Sequence, residues 1–87
     1  MNFEIITGRK VSKKEYNAFF RNISHDDKKT GFYVYEYDDY NELEVFITKS
    51  TKNGEELGAI INRRKRNSKN EMWEVKTEYY INNNDAN

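Results

Sequence analysis

The residues best placed to do chemistry are five cations in seven positions: Arg63, Arg64, Lys65 and Arg66, then Lys69. They lie between two strand-like segments, so the run reads as the tip of a hairpin. Such a tip can meet phosphates, whose contacts dominate nucleic-acid affinity, or the carboxylates of a partner protein. The whole chain does not share this bias. Its 15 basic and 15 acidic residues cancel to a formal net charge of zero. A protein that coats DNA carries a positive excess and a DNA mimic a negative one. The usual RNA-binding signatures, zinc ligands and a basic recognition helix are also missing.

The remaining polar groups point away from catalysis. The single histidine, His25, stands beside Asp26 and Asp27 in a polar connection. Three ligands from one loop, without a fourth and without a repeating spacing, make a poor metal site. A serine triad needs a base oriented by a carboxylate, which adjacency in sequence does not supply. The pairs Asp38–Asp39 and Glu55–Glu56 fall in turns, where carboxylates are ordinarily solvated. The four glycines are scattered and form no phosphate loop. There is no cysteine, which excludes disulfides and thiolate chemistry. The expectation is a non-catalytic protein without metal or cofactor.

Eighty-seven residues allow one domain, expected over 1–81 with a disordered polar tail at 82–87. A domain this small needs an efficient core. Seven Tyr, five Phe and one Trp supply it. No apolar run approaches the roughly 18 residues of a membrane span, and the first residues lack a signal-peptide pattern. The expectation is a soluble protein of the cytoplasm with no membrane partner.

Ser12-Lys13-Lys14-Glu15 matches a capping box. Tyr16, Phe19, Phe20 and Ile23 then follow on one helical face, so a helix is expected at about 13–23 with its aromatic stripe in the core. The chain after Gly31 reads as strands at 32–37, 42–49, 57–64 and 72–81, with a fifth at 3–7. Turn chemistry separates them at 38–41, Asn53-Gly54 and 67–70. The fold class is therefore α+β: one N-terminal helix on an antiparallel meander of four to five strands.

Turn geometry also sets an expected register. A two-residue Asn53-Gly54 loop pairs Lys52 with Glu55, Phe46 with Ile61 and Glu44 with Arg63. A four-residue loop at 67–70 pairs Arg63 with Glu74, giving a Glu44–Arg63–Glu74 row. Val45, Ile47, Ile60, Trp73, Val75, Tyr79 and Ile81 then face the helix. Phe46, Leu57, Ala59 and Ile61 fall on the far side, and strand 32–37 adds either Phe32 and Val34 or its three tyrosines. An open apolar face of that size calls for a cover or a partner. Alternate turns of a meander share one end, so the acidic turn at 38–42 should sit near the basic tip, with Arg64 stacked on Trp73.

The expected function is a small binding module acting through protein contacts, with pairing of two copies as one form of contact. Its site residues are Arg64, Lys65, Arg66 and Lys69 at the tip, with Phe46 and Ile61 on the second face. The alternative is nucleic-acid binding by the same cations plus sheet aromatics. The Asn-, Lys- and Ile-rich, proline-free composition resembles AT-rich coding DNA. By analogy, this suits a phage or mobile-element accessory or inhibitor protein.

Overall fold

Ser12 starts the helix. Its hydroxyl accepts the Glu15 backbone N–H at 3.1 Å, satisfying one donor of the first turn. In the computed structural model, which describes residues 8–82, α1 runs Lys13–Arg21. It ends two residues earlier than the apolar spacing suggests, because Asn22 caps it. Lys28 Nζ then donates to the carbonyls of Phe20 and Ile23 at 2.9 and 3.1 Å. A cation on the last carbonyls of a helix meets both their unpaired oxygens and the negative end of the dipole.

Among the described residues the sheet has five antiparallel strands: β1 (Arg9–Val11), β2 (Lys28–Asp38), β3 (Asn41–Ser50), β4 (Glu56–Lys65) and β5 (Glu74–Ile81). β2 to β5 form a meander and β1 joins its far side, in the order β1-β5-β4-β3-β2. The fold is thus α+β with one N-terminal helix. The expected strand at 3–7 lies outside the described residues. Of the expected tail, Asn82 is tied to β4 by bonds to the Leu57 and Glu56 carbonyls, both 2.9 Å. Residues 83–87 lie outside the described residues.

The register differs from the expected one. Gly54 does adopt positive φ, at 76°. However, the Ser50 N–H bonds the Glu55 carbonyl, and the Gly54 N–H bonds the Ser50 carbonyl. The loop therefore spans four residues, 51–54, not two. A register shift follows, with Thr48 facing Gly58 and Lys49 facing Glu56, so Leu57 is the extra residue. As a result Phe46 faces Ile60 and Val45 faces Ile61. A slip of one residue sends each side chain to the other face. Between β4 and β5 the pairing is displaced by two residues, so Arg63 faces Lys76 and Lys65 faces Glu74. No Glu44–Arg63–Glu74 row forms.

Both faces carry a core. Under the helix, Tyr16, Phe20 and Ile81 are buried, with Ile60, Leu57 and Tyr79 packed against them. Gly58 makes this approach close. A Cβ there would lie 2.5 Å from the Tyr80 carbonyl oxygen and 2.9 Å from the Phe20 ring. On the opposite face Leu43, Val45, Ile47, Ala59 and Ile61 are buried together, flanked by Tyr35 and Tyr80. Val45 and Ile47, expected beneath the helix, belong to this second core instead. Among the described residues no helix is long and apolar enough to cross a membrane.

Candidate functional site

The basic run ends β4 and enters the loop to β5. That places it beside the acidic turn between β2 and β3, as the meander argument requires. In that turn the Asp38 carboxylate accepts the Tyr40 N–H at 2.7 Å and the Asn41 side-chain amide at 3.1 Å. These bonds hold its carboxyl below the usual carboxylate range. The tip cations are then consumed one by one. Lys69 Nζ pairs with Asp39 Oδ2 at 3.1 Å. Arg66 Nε donates to the Asp39 carbonyl at 2.7 Å, with its guanidinium 4.1 Å from the centre of the Trp73 ring. Arg64 lies 5.4 Å from the same ring, as its place in the sequence suggests.

Arg64, not Arg63, is the cation set between glutamates. Its Nη1 reaches Glu44 at 3.5 Å, and its Nε lies 3.2 Å from Glu42 Oε1. The Nε contact has the distance of an ion pair but not the alignment of a hydrogen bond. Arg63 instead donates to Glu78 at 3.1 Å. Burial alone would raise the Glu78 pKa. Hydrogen bonds from Tyr80 and Arg63, with the charges of Arg63 and Lys10, outweigh it and hold the carboxyl below its ordinary value. Of the four tip residues singled out, only Lys65 points clear of such partners. Ile61 is buried in the second core and offers no contact surface. Phe46 is on the other side of the sheet from Ile61, stacked on Phe32 with ring centres 4.7 Å apart.

Two surfaces are left open: one holds Arg63 and Lys65 of the basic run, and the other is the strand whose apolar side chains called for a cover or a partner. The first is a cleft of about 520 Å³ whose charged lining is Arg63, Lys65, Glu74 and Lys76 on the face away from the helix, with the paired Glu42 and Arg64 at its border. Arg63 and Lys76 are directly opposed across strands there. Like charges so placed are unfavourable unless something anionic lies between them.

The second surface is the outer edge of β2. Among the described residues nothing pairs with that edge. β2 is eleven residues long and has no proline. Phe32 is 52 % exposed, Val34 45 %, and Tyr33 and Tyr37 are also open. Phe32 and Val34 lie on the helix side and the tyrosines on the other. The Tyr37 bulge, between the Glu36–Glu42 and Asp38–Asn41 pairs, settles this parity. The signal was in the sequence, since Phe32-Tyr33-Val34-Tyr35 is strongly β-forming. Its place at the sheet edge follows only from strand order.

His25 is exposed in a short 3-10 turn, His25–Asp27. Among the described residues no three His, Cys, Asp or Glu side chains gather where they could hold a metal. Comparison of the chain with models of known protein families, with curated proteins and with solved structures gives no match.

Proposed function

We propose that the protein is a non-catalytic binding module of the cytoplasm that acts through protein contacts at the outer edge of β2. The observation that carries this is an eleven-residue, proline-free edge strand with which nothing pairs among the described residues and whose apolar side chains are exposed on both faces. Folded sheets normally blunt such an edge with proline, lysine, a bulge or a cover, because it is a template for another strand; β2 has Lys28 and Lys29 at one end and the Tyr37 bulge at the other, and its centre, Phe32-Tyr33-Val34, carries none of these. A partner strand added there gains main-chain hydrogen bonds, and alternate side chains give selectivity. The consumed cations at the tip weigh the same way. Arg64, Arg66 and Lys69 hold the loop and the acidic turn together, which leaves little charge for a polyanion. The cysteine-free composition fits a reducing compartment, and an accessory role in a phage or mobile element rests on coding bias alone.

A second reading, binding of a nucleic-acid strand or other polyanion, is favoured by the opposed Arg63 and Lys76 with Lys65 beside them in the cleft. The two readings separate in one experiment. Immobilised protein is exposed to host lysate, with and without nuclease treatment, as wild type, as Val34→Lys, and as Lys65→Ser with Lys76→Ser. The expected result is capture of a protein that is lost in Val34→Lys and kept in the cleft variant. The reverse pattern, or capture that vanishes with nuclease, selects the polyanion.

A further inference from the structure

We infer that the strand added to β2 is β2 of a second copy, joining two five-stranded sheets into one across a two-fold axis. This rests on the edge-binding reading and names its partner. A two-fold axis normal to a sheet keeps each face on its own side, so the central residue of the strand must face itself. The regular part of β2 runs from Lys28 to Glu36, before the bulge at Tyr37. Its midpoint is Phe32.

That register is self-complementary. Lys28 meets Glu36 of the second copy at both ends. Lys28 already gives two hydrogen bonds to helix carbonyls, and an ammonium carries three donors. Phe32 meets its own copy. Since each Phe32 already stacks on Phe46, the pairing makes a continuous row of four phenyl rings, Phe46–Phe32–Phe32–Phe46. Thr30 meets Val34, covering the other exposed apolar residue that β2 presents on that face. On the far face Tyr33 lies opposite Gly31, and Lys29 lies opposite Tyr35. Moving the centre to Val34 would set Phe32 against the Glu36 carboxylate. Centring on Phe32 avoids this and uses the whole regular run, about 30 Å of ladder. The chain has no net charge to oppose self-association.

Glu36 supplies a test that does not depend on weakening the fold. Within one copy it faces Glu42, a like charge, so Glu36→Lys relieves a repulsion in the monomer while placing a cation against Lys28 of the partner. Analytical ultracentrifugation across micromolar concentrations should show a dimer for the wild type. Glu36→Lys and Phe32→Lys should each dissociate at least about tenfold more readily, a change of about 1.4 kcal/mol. The melting temperature of Glu36→Lys at low, monomeric concentration should not fall. Directly opposed residues of an antiparallel pair have Cα atoms about 4.5–5.5 Å apart, within disulfide range. In this cysteine-free chain, Phe32→Cys should therefore cross-link into a covalent dimer under mild oxidation, while Tyr33→Cys should lag well behind. A monomeric wild type overturns the inference, as does a dimer indifferent to Glu36→Lys and Phe32→Lys or one that cross-links faster through Tyr33→Cys. A monomer whose capture of another protein is still lost in Val34→Lys leaves the edge-binding reading standing and removes only the second copy.

Discussion

Gly58 is where a single missing methyl group decides how the helix meets the sheet. The Tyr80 carbonyl and the Phe20 ring both lie closer to its virtual Cβ than real contacts allow, and the carbonyl belongs to a paired strand that cannot swing away. Gly58→Ala should destabilise the fold by about 1–3 kcal/mol through overpacking. Thermal denaturation would show this as a drop of about 4–8 °C per kcal/mol for a domain of this size. Glu78 ties part of the stability to pH. Its folded pKa lies below the ordinary 4.5, so its stabilisation is complete above that value and is lost as pH falls through the folded pKa. Glu78→Gln should cost about 1.5–3 kcal/mol at pH 7, as hydrogen bonds to a charged group do. The gap from wild type should close as melts are taken from pH 5 toward pH 3. A gap that stays constant would mean that Glu78 acts by packing and not by charge.

At the scale of elements, the helix was legible and the ladder was not. Ser12, Glu15, Tyr16 and Phe20 lie within nine residues of one another, so local hydrogen bonds and one periodic stripe determine α1. Strand pairing depends on a count across each loop, and one extra residue inverts every face. Leu57 is that residue between β3 and β4. Nothing local marks it, because the Asn53-Gly54 signal suits both a two-residue loop and the observed four-residue one. The closeness of the acidic turn and basic tip survived the error, since it depends on strand direction alone. The eight-residue connection Arg66–Trp73 offers a clean probe, because Trp73 is the only tryptophan. Arg66→Ser should shift Trp73 emission to the red and cost about 1–2 kcal/mol, since it removes a half-buried cation–π contact and the bond to the Asp39 carbonyl. Arg64→Ser should cost about 2 kcal/mol or more, because it leaves Glu42 and Glu44 half-buried without their cation. Equal, negligible effects in denaturant melts would show that Arg64 is free to engage a partner after all.

For the whole molecule, the absence of net charge hides a local imbalance. Arg63, Arg64, Lys65 and Lys76 share one cleft with Glu42 and Glu74; Arg64 is held by Glu42 and Glu44, and the Arg63 charge is partly answered by Glu78. The most a single strand could neutralise there is about three phosphates. At about 0.7 counterions released per phosphate, log K should fall with log salt at a slope no steeper than about −2. Non-specific binding of that strength is weak in dilute salt and fades further at physiological salt. A labelled oligonucleotide should therefore be retained weakly near 50 mM salt and lost by 150 mM. Lys65→Ser with Lys76→Ser should abolish even the low-salt signal. That variant should melt no lower than wild type, since removing Lys76 relieves its opposition to Arg63. Tight binding at 150 mM, with a slope steeper than three phosphates permit, would require cations beyond the cleft. It would mean that the tip pairs Arg66–Asp39 and Lys69–Asp39 open on binding, and the polyanion reading would then displace the strand-edge one.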